Sequence, residues 1–151
     1  MNRAFTQNRK EAFHHFFLQD RFARTSGMVL DDVGYGWAQV SMLAQERHLN
    51  AADQVMGGAL FTLCDFALAV ASNSYGVLAV GTHMDIHLLK PPGLGRLIAR
   101  AEEISRGKKV AVYEVSLEDE RHRLCCKMTG SVILYPDREL FAGAIFADEK
   151  A

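Results

Sequence analysis

Gly57-Gly58-Ala59-Leu60-Phe61-Thr62-Leu63-Cys64-Asp65-Phe66-Ala67-Leu68-Ala69-Val70-Ala71-Ser72 is the stretch on which the fold turns. Thr62 and Asp65 are its only polar side chains before Ser72. The run is too long and too rich in Ala and Leu for a strand, and it reads as a helix. A helix with no polar face is buried on most of its sides. The rest of the chain therefore has to wrap it. Asn73-Ser74-Tyr75-Gly76 ends it on a glycine. The apolar run is too short to span a bilayer, and Asp65 interrupts it.

Upstream, residues 9–20 place Ala12, Phe13, Phe16 and Phe17 at helical spacing. The adjacent His14 and His15 cannot face one direction on such a helix, so they read as packing or surface residues rather than a metal site. From Gly27 the period changes to two. Met28-Val29-Leu30 is a short strand and Gly34-Tyr35-Gly36 a turn. Trp37 to Leu43 is a strand with Ala38, Val40 and Met42 on one face. Residues 44–55 form a polar loop holding His48, Asn50 and Asp53, with His48 expected at the surface.

Downstream, Leu78, Val80, Thr82, Met84, Ile86 and Leu88 share one face, opposed by His83, Asp85 and His87, until Pro91-Pro92-Gly93 breaks the strand. Leu97, Ala99 and Ala101 mark the next strand, and Arg106-Gly107-Lys108-Lys109 a basic turn. Val110 to Leu117 follows, then a charged hairpin at 118–121. A last strand carries Leu124, Cys126, Met128, Gly130, Val132 and Leu134 on its apolar face and ends at Pro136. We expect these four strands to form a meander. The fold class is α+β: an antiparallel sheet wrapped around one long buried helix. It forms a single domain over 1–151, with its core at about 12–135 and a tail at 136–151. Leu140 to Phe146 would be a docking arm or a frayed end.

Composition narrows the function. With 49% hydrophobic and 23% charged residues the chain is globular rather than disordered. A formal net charge of −1 offers no field to attract nucleic acid. Three cysteines, Cys64, Cys125 and Cys126, cannot all pair and form no C-x-x-C, so neither a disulfide scaffold nor a zinc site is expected. The first residues carry no apolar signal core. We therefore expect a cytoplasmic protein with no membrane contact and no cofactor.

Asp65 is the first candidate for chemistry. A carboxylate on an apolar helix costs several kcal/mol unless it is paired or faces a wet cleft. It is either functional or a structural acid tied to a backbone amide or an arginine. Thr62, three residues away, shares its face. Met56-Gly57-Gly58 opens the helix, where unpaired N–H groups and the helix dipole favour an anion and can stabilise an oxyanion. The glycines let a ligand approach. Gly57 and Asp65 are eight residues apart, roughly 12 Å along a helix axis. One small carbonyl cannot touch both, so a joint reaction needs Asp65 from a second copy of the chain. His83, Asp85 and His87 are spaced too widely on a strand to converge on one metal and read as a solvent face or a subunit contact. No Ser-His-Asp arrangement, P-loop or dinucleotide fingerprint is present.

The run Arg47-His48-Leu49-Asn50, then Gly57-Gly58-Ala59-Leu60-Phe61-Thr62-Leu63-Cys64-Asp65, then Ala71-Ser72-Asn73-Ser74-Tyr75-Gly76, continues through Leu88-Leu89-Lys90-Pro91 and Arg106-Gly107-Lys108-Lys109. Over residues 12–135 it resembles the hotdog-fold acyl-CoA thioesterases of the phenylacetate-pathway type. The resemblance implies a homo-oligomer, either a dimer or a tetramer built of dimers, and a substrate that brings its own coenzyme A. It assigns the amide that polarises the thioester carbonyl to Gly57. It assigns the carboxylate from the partner subunit, which attacks the carbonyl or activates water, to Asp65. It assigns to Asn50 the holding of the reacting water or the site. It makes Met56, Gly58 and Thr82 the candidates for lining the substrate. Lys90, Arg106, Lys108 and Lys109 are candidates for the coenzyme's phosphates, the basic turn being otherwise a solvated hairpin tip. Met56 stands where the family usually has histidine, and methionine cannot donate a hydrogen bond. An acyl-CoA-binding protein with weak or absent catalysis is thus the alternative reading.

Overall fold

The computed structural model describes residues 4–141. The chain opens with two short helices, α1 (Gln7–Phe17) and α2 (Arg21–Thr25). There follow β1 (Met28–Gly34), β2 (Trp37–Ala44), a 3-10 turn at Glu46–His48, α3 (Gly57–Asn73), β3 (Val77–Leu88), β4 (Gly95–Arg106), β5 (Val110–Asp119) and β6 (Leu124–Glu139). All six strands form one antiparallel sheet in the order β1-β2-β4-β5-β6-β3. α3 packs on one face of it. Ala38, Val40 and Met42, Leu97, Ala99 and Ala101, and Cys126, Met128 and Val132 turn inward from their strands and are buried. They meet Leu63, Leu68 and Val70 in one core cluster. α3 is not enclosed all the way round. Gly58 is exposed, and Phe61, Thr62, Asp65 and Ala69 are half-buried, forming an open stripe at helical spacing.

Three expectations are corrected. The last four strands are not a simple meander: β4, β5 and β6 are, but β3 lies beside β6 at the sheet edge. Six residues including Pro91 and Pro92 separate β3 from β4, too long a link for a tight hairpin. The alternation along β3 changes sides at a bulge between Gly81 and His83. Ala79 is buried before it and Met84 and Ile86 are half-buried after it, while Val80 and Thr82 are exposed. An extra residue on one strand shifts the parity of every position beyond it. β6 also runs through Pro136 to Glu139. The proline falls in the irregular stretch between the pairs Leu78–Tyr135 and Val77–Glu139, where a ladder N–H is not required.

α1 begins at Thr6, whose hydroxyl accepts a hydrogen bond from the Arg9 amide, and it buries Phe13. Phe13 and Phe16 both meet Phe141 edge-on, at 4.9 and 5.4 Å between ring centroids. The rest of the expected tail segment lies outside the described residues. α2, which periodicity did not reveal, is capped by Asp20 accepting from the Ala23 amide.

Candidate active site

The loop before α3 is built to deliver its first turn. The Asn50 side-chain oxygen accepts hydrogen bonds from the Ala52 and Gln54 amides at 2.9 and 3.2 Å. Asp53 takes a left-handed backbone conformation (φ 55°), which aspartate tolerates. The Met56 amide donates to the His48 carbonyl at 2.9 Å, closing the loop at its base. His48 is buried, against expectation: its Nδ1 accepts from the Gln45 amide and its Nε2 donates to the Ser26 carbonyl at 3.0 Å. It thus staples the loop to the turn after α2. A histidine in a polar loop gives no sequence signal of that role.

At the start of α3 the Met56 carbonyl accepts from the Ala59 and Leu60 amides. The Gly57 and Gly58 amides precede the first intrahelical donor, as the first N–H groups of a helix do. A Cβ placed on Gly57 would come within 2.9 Å of Leu88 Cδ1, so this end of α3 abuts the far end of β3. Met56 itself is 56% exposed and its side chain caps nothing.

Asp65 lies at the middle of α3. It forms no hydrogen bond and no ion pair among the described residues, so the structural alternative of an amide or arginine tether has no support there. Burial first, and then the nearby Asp20 carboxylate, push its carboxyl pKa up. The Thr62 hydroxyl donates back to the Gly58 carbonyl at 2.8 Å. Phe17 of α1 meets Phe66 at 6.0 Å, walling one side of this stretch. Cys64, next in sequence, is fully buried, and that burial raises its thiol well above the ordinary range.

The remaining candidates fall into two places. Lys90 lies at the Gly57 end, where its amide and that of Leu89 donate to the Cys125 carbonyl. Thr82 sits on the bulge, its hydroxyl donating to the Ser131 carbonyl at 3.1 Å. The basic turn is at the opposite end of α3: the Arg106 guanidinium lies 3.9 Å over the Tyr75 ring, just beyond the helix C-terminus. Arg106 also donates to Glu103 and to the Tyr113 hydroxyl, both at 3.3 Å, and Tyr113 donates to Glu103 at 2.6 Å. Arg106 is thereby committed to a clamp, whereas Lys108 and Lys109 are exposed and form no ion pair among the described residues. Within one chain, then, Gly57, Asp65 and the two lysines occupy the start, the middle and the far end of α3. A cavity of about 340 Å³ lined by Arg100, Glu114 and His122 opens on the sheet face away from α3 and shares no residue with these groups.

The sheet packed on one long helix with an open glycine start and a lone carboxylate defines a hotdog-type domain. Comparison gives the family. The thioesterase superfamily profile matches residues 54–126. A putative esterase of Archaeoglobus fulgidus is 38% identical over 98 residues, covering 64% of this chain and 64% of that protein's length. The acyl-coenzyme A thioesterase PaaI of Escherichia coli is 30% identical over 118 residues, covering 78% of this chain and 84% of that protein. The solved structure of the E. coli PaaI protein, from the phenylacetic acid degradation operon, superposes with a TM-score of 0.82 at 27% identity, over 87% of this chain and 96% of that one. The chain belongs to the thioesterase superfamily and is a PaaI-like thioester hydrolase.

Proposed function

We propose that the protein hydrolyses a small or aromatic acyl-CoA thioester to the free acid and coenzyme A, in sites shared between two subunits. The observation that carries this reading is Asp65: a half-buried carboxylate with no partner among the described residues, on the same helix as the amide of Gly57. The Gly57 N–H would donate to the thioester carbonyl oxygen as it gains negative charge. The carboxylate would either attack the carbonyl carbon or take a proton from an attacking water. Either way one water is consumed, the C–S bond breaks, and the sulfur leaves as the thiol. Asn50 acts on this centre by holding the loop that delivers Gly57.

The two groups lie about 12 Å apart along one helix, so they would meet through a second copy. The free edge of β3 offers the route. Antiparallel pairing of the two β3 edges near their Leu88 ends would lay the partner's strand beside this end of β3, close to Gly57. The partner's β6, β5 and basic turn follow at strand spacings of ~4.8 Å. The lysines that stand a helix length from Gly57 in one chain would then approach it from the other.

A panel of acyl-CoAs with thiol detection tests the reading. Release of coenzyme A from at least one small or aromatic member, absent from Asp65→Asn, is the expected result. Acyl-CoA binding with no thiol release from any member would instead favour the binding-protein reading, which draws on Met56 carrying no donor at the helix start.

A further inference from the structure

The Gly57 amide, which the proposed reaction uses as a donor, is aimed by the loop in front of α3, and that loop hangs from α2. The Gly57 N–H shares a peptide plane with the Met56 carbonyl and points the opposite way. The carbonyl accepts from the Ala59 and Leu60 amides inside the helix, so the N–H is directed out from the helix start. Whatever fixes Met56 therefore fixes the direction of this N–H. On its other side Met56 is held by its own amide, which donates to the His48 carbonyl at 2.9 Å. Asn50 shapes the tip of the same loop by accepting from the Ala52 and Gln54 amides, whereas His48 holds its base.

The end of α2 supplies the anchorage. The last carbonyls of a helix have no intrahelical partner, and here side chains of the loop take them up. Arg47 donates to the Thr25 carbonyl at 2.9 Å, and the His48 Nε2 donates to the Ser26 carbonyl at 3.0 Å. Gly27 follows with φ 79°, a conformation that favours glycine. A Cβ there would come within 2.6 Å of the Arg47 Nη2, so the guanidinium lies against this glycine. The His48 Nδ1 accepts from the Gln45 amide at 2.9 Å, which fixes the ring. The two grips differ in weight. Arg47 is exposed, whereas His48 is buried. A buried hydrogen bond left half-made costs more than an exposed one, because water does not replace the missing partner.

We propose that His48 is a positioning residue for the reaction, with Arg47 as its lesser companion: both fasten the loop to the C-terminal end of α2 and so keep the Gly57 amide on its line. The inference rests on the reading of Gly57 as the donor to the thioester oxygen. His48 acts without touching the substrate. Its side chain grips Ser26 and Gln45, its carbonyl holds Met56, and the Met56–Gly57 peptide carries the donor. Charge on the thioester oxygen grows between the bound substrate and the transition state. A misdirected N–H therefore weakens the transition state more than it weakens binding. The signature is a fall in kcat with KM little changed.

A double-mutant cycle tests it. Gly57→Pro deletes the N–H with little other change to the backbone. Gly57 is the first residue of α3, where proline is favoured, and Met56 already has the extended conformation (φ −61°, ψ 135°) that a following proline requires. The nearest side-chain atom, Leu88 Cδ1, is the free end of a flexible chain. His48→Asn keeps an acceptor for the Gln45 amide but no longer reaches the Ser26 carbonyl. It should lower kcat roughly tenfold and leave KM within about twofold. In the Gly57→Pro background the same change should cost nothing further, since the amide that it aims is gone. His48→Gln, whose longer side chain carries an N–H to Ser26, should recover most of the loss. Arg47→Ala should lower kcat about threefold, and this effect too should vanish in the Gly57→Pro background.

A His48→Asn enzyme with wild-type kcat overturns the proposal. So does an undiminished further loss on top of Gly57→Pro, which would mean that His48 acts on something other than this amide. A rise in KM at unchanged kcat overturns it as well, since the loop would then be a substrate contact and not a support. Should His48→Asn fail to fold, the exposed Arg47→Ala carries the cycle alone, and an unchanged kcat there, or equal losses with and without Gly57→Pro, removes the anchorage on α2. Failure of the underlying reading looks different: Gly57→Pro would itself keep wild-type kcat, and the donor would not be Gly57.

Discussion

The Asp65 carboxyl binds a proton more readily in the folded chain than in water, because burial and the Asp20 carboxylate both disfavour its charge. A base must be ionised, so hydrolysis should fall as pH drops through a value above the ordinary ~3.9 of an aspartate. The same shift acts on stability with the opposite preference. Between the unfolded and folded pKa values the folded chain holds more proton, so stability declines as pH rises through that window and stays lower above it. Asp65→Asn should therefore lose ~10²-fold or more in kcat and melt a few degrees higher at neutral pH. An unchanged kcat would make Asp65 structural. Asp20→Asn isolates the electrostatic contribution, since asparagine caps a helix as well as aspartate does. Its pH–rate profile should keep its height while the acid limb moves to lower pH. An unmoved limb would mean that Asp20 does not act on Asp65.

At the scale of elements, the junction of α3 with β3 rests on one side chain. Asn73 is buried and donates to the Ala69 and Ala79 carbonyls at 2.8 and 3.2 Å, while its oxygen accepts from the Ala79 amide at 2.9 Å. Asn73→Ala would leave the buried Ala79 amide and carbonyl unpaired, and should cost about 3 kcal/mol in urea unfolding. A loss below ~1 kcal/mol would show that water replaces the side chain. The β4–β5 turn divides its cations by task. Arg106 is locked by Glu103, Tyr113 and Tyr75, whereas Lys108 and Lys109 form no ion pair among the described residues and are the proposed contacts for phosphate. Reversing both lysines to glutamate should raise KM for acyl-CoA with little change in kcat. The effect should fade at high salt and be absent for a thioester lacking the nucleotide. A KM unchanged at low salt would place the nucleotide elsewhere.

For the whole molecule, the proposed shared site makes a prediction that no single-chain site can meet. Asp65→Asn and Gly57→Val should each be nearly inactive. The valine crowds the helix start, where a Cβ already comes within 2.9 Å of the mobile end of Leu88. When the two variants are unfolded and refolded together, half the dimers are mixed, and each mixed dimer holds one intact site out of two. Roughly a quarter of wild-type activity should return. No recovery, with mixed dimers demonstrated by mass, would place both groups in one chain.

Much of this molecule is legible in one dimension, because it depends on periodicity. α3, the inward faces of β2, β4 and β6, and the candidates Gly57 and Asp65 follow from apolar spacing and from a charge placed where burial disfavours it. What periodicity cannot express was decided in three dimensions. Which strand lies beside β6 depends on the path of a six-residue connection, and the bulge at Gly81–His83 inverts β3 through one extra residue. His48 becomes a staple only because the Ser26 carbonyl, distant in sequence, comes to meet it. Arg106 is withdrawn from a basic turn by Tyr75, Tyr113 and Glu103, which no local spacing pairs with it. Non-local contacts carry no periodic trace in the chain, and they determine which of the polar residues remain free for chemistry.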